Sequence, residues 1–199
     1  MIQQTPREQF TIAEYLAIQA ESEEKLEYED GEIFAMAGGT FIHGDIGKNI
    51  LRQLDERLEK RGSKCSAMNG DIRIYFDQYR SFVYPDAAVV CGERMVSEHD
   101  KNAYTNPTLV VEVVSKSSAG YDRGDKFKKY RSLPAFKEYV LIEQKKPEVD
   151  VLYHKPNGDW SMITYRSLED TVQLHSIDLM IPMRLIYRSV NFNISEADQ

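Results

Sequence analysis

One carboxylate interrupts the most apolar stretch of this chain. Glu112 lies within Leu109–Val114, and all the remaining residues of this segment are Leu or Val. Isolated carboxylates cost several kcal/mol to bury unless they are paired, hydrogen-bonded or bound to a metal. Asp86 follows Pro85 and directly precedes a second apolar run, Ala87–Cys91. Near-continuous apolar runs are typical of strands covered on both faces, so the two carboxylates are expected to converge at the end of a buried sheet.

A pair of carboxylates at such a position suits a divalent metal ion. Mg²⁺ and Mn²⁺ prefer hard oxygen ligands, and Mg²⁺ needs only one or two protein carboxylates because it keeps several waters. The chemistry that such a site serves is phosphodiester hydrolysis, in which the metal activates water and stabilises developing charge. The alternative is structural, because a strand carboxylate can pair with an arginine and an Asp after Pro is common in turns.

The helices and strands that must position these residues are indicated by changes in the spacing of apolar residues along the chain. Thr11 and Glu14 form a capping-box pattern that opens a helix to about Gln19, and the Asp30-Gly31 step predicts a hairpin. A helix is predicted from apolar residues recurring every fourth position, and these are Ile42, Ile46, Ile50, Leu54 and Leu58. Further strands and a helix over 122–132 complete an α/β pattern, with a central mixed β-sheet flanked by helices and no internal repeat. We therefore expect one domain over 1–199.

Composition limits the classes of function. The apolar fraction of 42% and charged fraction of 29% are ordinary for a globular protein, and the net charge of −7 gives no overall basic excess. No apolar run approaches the roughly 18 residues that span a membrane, and the N-terminus lacks the apolar segment of a signal peptide. Cys65 and Cys91 are interpreted as small buried hydrophobes without a disulfide framework. A cytoplasmic location with no membrane partner is the expectation.

The ordered motifs resemble the PD-(D/E)XK nuclease superfamily, and more narrowly its Uma-two family of restriction-endonuclease-like proteins. Pro85-Asp86 resembles the first half of the superfamily motif, and Glu112, 26 positions later, resembles the acidic residue of the second half. The similar features span roughly 27–142. They include Leu26-Glu27, His43, Asp71-Ile72-Arg73-Ile74, Val111–Ser115, Asp122-Arg123 with Lys126 and Tyr130, and Glu138-Tyr139. The resemblance implies a restriction-endonuclease-like core over about 20–165.

The same resemblance implies a set of site residues. Asp86 and Glu112 would bind Mg²⁺ or Mn²⁺, and Glu27 would join them from an upstream strand. The motif lysine is expected two residues after the glutamate, but that position holds Val114. In the resembling family the following helix supplies the basic residue, which here is Lys126. The alternatives are a solvated Lys126 paired with Asp122 and a surface Glu27 in an acidic stretch.

A basic cluster follows the Glu112 strand and offers contacts to phosphates. Within this cluster, the candidates for nucleic-acid contact are Lys116, Arg123, Lys128 and Lys129. The alternative is the solvated face of an amphipathic helix. Apolar residues near the C-terminus, between Leu179 and Ile186, form either a homodimer interface or a terminal core strand.

These observations support one leading function and two rivals. The leading hypothesis is a Mg²⁺-dependent, endonuclease-like phosphodiester hydrolase acting on DNA. The second is a catalytically inactive nucleic-acid-binding or assembly module on the same fold, motivated by the displaced lysine. The third is a hydrolase for another phosphate-containing substrate.

Overall fold

The computed structural model describes residues 9–36, 38–115 and 118–192. Within these ranges the helices are α1 (Ile12–Glu21), α2 (Phe41–Lys60), α3 (Ala119–Tyr121), α4 (Phe127–Tyr130) and α5 (Met183–Ile186). A π-helical turn, Asp122–Lys126, joins α3 to α4, and the continuous run 119–130 is called the site helix below. The strands are β1 (Leu26–Glu29), β2 (Glu32–Ala35), β3 (Cys65–Asn69), β4 (Arg73–Phe76), β5 (Ser81–Val83), β6 (Ala87–Cys91), β7 (Ala103–Tyr104), β8 (Leu109–Val114), β9 (Glu138–Glu143), β10 (Val149–His154), β11 (Trp160–Tyr165), β12 (Thr171–Leu174) and β13 (Leu179–Pro182).

A six-stranded mixed sheet forms the centre of the fold. Its strand order is β11-β10-β9-β8-β6-β3, with β8 and β9 parallel and the other pairs antiparallel. β8 is fully buried along its length, as its apolar run predicts. Because side chains alternate across a strand, Glu112 points to the opposite face from Val111 and Val113.

Helix α2 covers one face of this sheet. Its stripe of Ile46, Ile50, Leu54 and Leu58 is buried in one cluster with Val111 and Val113. The predicted four-residue recurrence is therefore confirmed as the core face of a 20-residue helix. Thr40 caps α2 by accepting a hydrogen bond from the His43 backbone N–H.

The site helix and a five-stranded sheet cover the other face. Tyr130 packs there with Phe136 and Tyr139 in a second cluster that includes Val110 and Val114. The second sheet has the order β2-β1-β5-β4-β7, and the predicted Asp30-Gly31 hairpin joins β1 to β2. α1 begins with the predicted capping box at Thr11 and buries Tyr15 against this sheet.

The C-terminal segment belongs to the chain's own core. Leu179, Ile181, Met183 and Ile186 are buried in the cluster that α2 forms with the central sheet. This placement favours the terminal-strand interpretation over the homodimer interface. Together with Tyr15, these residues extend the buried hydrophobic core from α1 to α5.

The cysteines differ from their expected state. Cys65 and Cys91 face each other across the antiparallel β3–β6 pair and form a disulfide bond. The interpretation of both as unlinked hydrophobes is therefore wrong. Their separation along the chain hides the pairing, which depends on the register of two strands that sequence spacing does not reveal. Of the described helices, none is long and apolar enough to cross a membrane.

Candidate active site

Strand β1, the start of β6, the end of β8 and the site helix enclose a pocket of about 1140 Å³. Its lining residues are Glu24, Lys25, Glu27, Met36, Gly38, Gly39, Thr40, His43, Tyr84, Asp86, Glu112, Val113, Ser115, Ser118, Tyr121, Asp122, Lys126 and Gln144. All four residues predicted to be catalytic are among them. The geometry of each explains how elements distant in sequence build one polar site.

Glu112 is the most deeply buried carboxylate of the pocket, at 3% exposure. One carboxylate oxygen lies 3.0 Å from Lys126 Nζ, and the other accepts a hydrogen bond from the Tyr130 hydroxyl at 3.1 Å. Burial raises the pKa of Glu112 well above its ordinary value, and the charges of Asp86 and Asp122 add to this rise against the opposing charge of Lys126. The protonated form of Glu112 is therefore favoured inside the central sheet.

Asp86 joins two elements at the beginning of β6. One oxygen accepts the Val113 backbone N–H at 2.6 Å, and the other lies 2.7 Å from Nε2 of His43 on α2. Burial alone would lower the pKa of His43, but the hydrogen bond and charge of Asp86 outweigh burial and raise it. His43 is therefore a hydrogen-bonded partner of Asp86 in the site.

Lys126 is the buried cation at the centre of the site, with 4% exposure. Its ammonium is 3.0 Å from Glu112, 3.7 Å from Asp122 and 4.0 Å from Glu27. Burial alone would lower the pKa of Lys126, but these three carboxylates outweigh it and raise the pKa above its usual value. The contacts with three carboxylates therefore favour the charged form of Lys126.

The position of Lys126 accounts for the missing motif lysine. Val114 lies two residues after Glu112 on the same strand face, where it is buried against apolar neighbours. The site helix follows β8 and returns over this face, and its π turn ends at Lys126. π turns inside helices occur frequently at functional sites. The cation therefore reaches Glu112 from the helix.

Glu27 reaches the site from β1. Its carboxylate accepts the Tyr84 backbone N–H at 3.0 Å, and the Tyr84 carbonyl in turn lies 3.4 Å from Lys126 Nζ. The interpretation of Glu27 as a free surface residue does not fit these contacts. Glu27 instead holds the segment before Asp86 close to Lys126.

Several residues of the pocket escaped sequence reasoning. Sequence reasoning paired Asp122 with Lys126 but did not include it among the site residues. Asp122 lines the pocket as a buried carboxylate, and burial is the main cause of its raised pKa. Gln144 follows β9 and accepts a hydrogen bond from the Thr40 hydroxyl at 2.9 Å. No local signal identified Gln144, because its place in the pocket depends on the parallel pairing of β8 and β9.

The predicted nucleic-acid contacts occupy different environments. Arg123 forms ion pairs with Glu143 at 2.8 Å and Asp150 at 2.6 Å. Lys129 is 1% exposed and lies 2.8 Å from Glu29 of β1. Lys128 is exposed to solvent, and Lys116 lies outside the described residues. Two of the predicted contact residues, Arg123 and Lys129, therefore form ion pairs within the chain.

Asp86 and Glu112 are the candidate donors of the pocket for a divalent metal ion. Within residues 9–36, 38–115 and 118–192, no three His, Cys, Asp or Glu side chains are arranged to enclose a metal. Asp86 and Glu112 nevertheless offer hard oxygen donors in one pocket, and each carboxylate oxygen has lone pairs beyond the hydrogen bond that it accepts. Such a pair fits Mg²⁺, which takes its remaining ligands from water and substrate phosphate.

Comparison with a solved structure supports the fold. A crystal structure described as "a putative nuclease belonging to DUF820", from Anabaena variabilis, superposes with a TM-score of 0.71 at 17% sequence identity. The match covers 89% of this chain and 97% of the other. The fold is therefore the restriction-endonuclease-like α/β fold.

Sequence comparison assigns the family. The protein slr1290 of Synechocystis is 34% identical over 90% of this chain and 92% of its own length, and sll1609 of the same organism is 37% identical over 67% and 75%. Both bear the description "uncharacterized protein". Residues 12–184 match the Uma2 family, described as "Putative restriction endonuclease". The chain belongs to this Uma2 family.

Proposed function

We propose that this protein is a Mg²⁺-dependent, endonuclease-like phosphodiester hydrolase that acts on DNA, with Mn²⁺ as an alternative metal. The observation that carries the proposal is the convergence of Asp86, Glu112 and Lys126 in one pocket at the end of a buried sheet. The family description as a restriction endonuclease supports a nucleic-acid substrate.

Each residue has a role that follows from its position. Asp86 and Glu112 would hold the metal, which supplies Lewis-acid stabilisation of the phosphate and a more acidic bound water. Lys126 would orient the attacking water or stabilise charge on the phosphate, because its ammonium stays protonated among carboxylates. Glu27 would position Lys126, since its carboxylate lies 4.0 Å from that ammonium.

The first test is calorimetric titration with Mn²⁺ of the wild type and the Asp86→Asn, Glu112→Gln double variant. The wild type should bind Mn²⁺, and the double variant should lose at least about tenfold in affinity because both anionic ligands become neutral amides. Asp125→Asn is the matched control, since Asp125 is an exposed carboxylate on the site helix. Equal Mn²⁺ affinity for the wild type and the double variant would remove the metal-site assignment.

A cleavage assay then tests the reaction and its substrate. DNA, RNA and free nucleotides are incubated with Mn²⁺ or Mg²⁺, and Lys126→Met is compared with Lys60→Met, which removes an exposed lysine from α2. We expect cleavage of DNA that falls on the order of a hundredfold in Lys126→Met and is unchanged in Lys60→Met. DNA binding that persists in EDTA without cleavage under either metal would instead support the inactive-module alternative.

A further inference from the structure

The outer side of β11 is an open edge of the central sheet. β11 pairs with β10 on one side, and no strand within the described ranges pairs with its other side. The strand is six residues long, and alternate residues direct their backbone groups away from the sheet. An unpaired strand edge of this kind is a template on which another strand can pair.

The hairpin between β10 and β11 determines which residues face outward. Lys155 donates its backbone N–H to the Asp159 carbonyl at 2.8 Å, in the same register as the two strands. Hydrogen-bonded pairs alternate along an antiparallel ladder, so every second residue from Ser161 onward directs its backbone groups toward β10. The intervening residues present theirs at the open edge, and these are Trp160, Met162 and Thr164.

The sequence of β11 favours pairing at this edge. The strand contains neither a charged residue nor a proline, two of the features that discourage pairing at exposed edges. Its middle residues are apolar and exposed, Met162 at 63% and Ile163 at 40%, and they lie on opposite faces of the sheet. At the other edge of the sheet, β3 exposes no large hydrophobic side chain along Cys65–Asn69.

Packing at both ends holds β11 in place as a preformed strand. Trp160 packs against Phe127 and Phe136 on the face of the site helix. Tyr165 packs on the opposite face against the cluster that α2 forms with the sheet, and its hydroxyl accepts the Gln173 N–H at 3.2 Å. A strand that binds this edge therefore meets backbone groups that are already ordered, which lowers the entropy lost on association.

We infer that β11 pairs with β11 of a second copy of this chain, antiparallel about a two-fold axis at Met162. The second copy supplies a strand of matching length that is itself preformed, whereas a disordered segment would lose entropy on pairing. The chain carries a net charge of −7, which opposes the association of two copies. The uncharged strand adds no local repulsion, so the two copies can approach each other there.

The two-fold register brings apolar residues together on both faces of the joined sheet. Met162 of one copy faces Met162 of the other in a hydrogen-bonded pair, and Trp160 faces Thr164 on either side of it. On the opposite face, Ile163 of one copy lies across from Ser161 of the other. The contact uses the same surface of both copies and closes after two, so it predicts a dimer.

This surface differs from the C-terminal segment, whose Leu179 and Ile181 lie in the chain's own core. Met180, between them, is 55% exposed and lies on β13 in the separate two-stranded sheet. A charge placed at Met162 or at Met180 therefore distinguishes the two surfaces. The inference does not depend on the proposed function, since none of the six residues of β11 lines the candidate active site.

Sedimentation velocity of the full chain over a range of protein concentrations tests the inference. The wild type is compared with Met162→Lys, with Met162→Glu and with an equimolar mixture of these two variants. Met95→Lys and Met180→Lys are the matched controls, because each adds a charge at another methionine of similar exposure, 59% and 55%. Circular dichroism establishes that every variant is folded.

The wild type should form a dimer whose dissociation constant rises about tenfold or more in Met162→Lys and in Met162→Glu, because like charges then face each other across the axis. The equimolar mixture should recover tight association, since opposite charges then face each other, and both controls should match the wild type. A wild type that stays monomeric at every concentration overturns the assignment to a second copy. A dimer that Met162→Lys leaves unchanged, or that Met180→Lys alone dissociates, overturns the β11 interface. A mixture that associates no more tightly than the separate variants overturns the two-fold register at Met162.

Discussion

At the scale of residues, the site is governed by the cost of burying Glu112. The carboxylate sits inside the central sheet with Lys126 and the Tyr130 hydroxyl as its partners. Sequence reasoning predicted Glu112 and Asp86 as site residues because a carboxylate in or beside an apolar run demands an explanation, and the structure places both in one pocket. Lys126 was predicted only through the family resemblance. The residue by itself gives no signal, because a lysine on a helix is ordinarily solvated. Sequence reasoning did not identify Gln144 or the partnership of His43 with Asp86, because both depend on contacts between elements.

The raised pKa of Glu112 predicts how the stability of the metal-free protein depends on pH. The unfolded carboxyl titrates near 4.5, so above that pH the folded state retains a proton that the unfolded state has lost. The free energy of unfolding should therefore fall as pH rises from 4.5 toward the folded pKa, by at most roughly 1.4 kcal/mol per pH unit for one proton. Denaturant unfolding across this range in EDTA measures the slope.

Glu112→Gln removes this titration and should flatten the slope, whereas Asp125→Asn should leave it unchanged. If Mn²⁺ binds Glu112 as proposed, it would compete with the proton there, so its stabilising effect on the wild type should grow with pH over the same range. Parallel pH profiles for the wild type and Glu112→Gln would show that Glu112 titrates alike in the folded and unfolded chain.

At the scale of elements, two ion pairs hold the site helix against β1. Lys126 lies 4.0 Å from Glu27, and one helical turn later Lys129 lies 2.8 Å from Glu29. Lys129 also lies 3.1 Å from the Tyr121 hydroxyl and 5.2 Å from the centre of that ring. β1 thereby fixes the orientation of the helix that carries the catalytic candidate Lys126.

The Lys129–Glu29 pair predicts an asymmetry between its two partners. Glu29→Ala leaves a buried ammonium without its anion and should cost about 1–3 kcal/mol of unfolding free energy. Lys129→Met removes the buried charge, fills similar volume and should cost less. Denaturant unfolding measures both, with Glu23→Ala as an exposed control. Equal costs for the two substitutions would indicate that packing of the Lys129 stem matters more than its charge.

Most elements were predictable because their signals are local. The capping box at Thr11, the Asp30-Gly31 hairpin and the apolar stripe of α2 each lie within a few neighbouring residues, and the structure confirms them. The π turn over Asp122–Lys126 was not predicted. Its residues have ordinary helical spacing, and the extra residue in the turn becomes apparent only when the helix packs against β8 and β1.

At the scale of the whole molecule, sequence predicted an α/β fold with a mixed sheet but not the partition of its strands. The short strands β4, β5 and β7 join the hairpin in a separate sheet, whereas β3 joins the central one. Short strands carry little information on their partners, because pairing depends on distant register and on which face is buried. The same limit explains why the cysteine pairing escaped sequence reasoning.

The disulfide between Cys65 and Cys91 links the edge strand β3 to the last residue of β6. Asp86 directly precedes the first residue of β6. Closing a loop of this size is expected to stabilise the protein by about 2–4 kcal/mol. Reductant should lower the unfolding free energy of the wild type by that amount and leave the Cys65→Ser, Cys91→Ser double variant unchanged. Thiol titration of the denatured protein should find no free thiol before reduction and both cysteines afterwards. Two free thiols before reduction would instead return both residues to the role of buried hydrophobes. The site would then depend on the β3–β6 ladder alone to fix the start of β6.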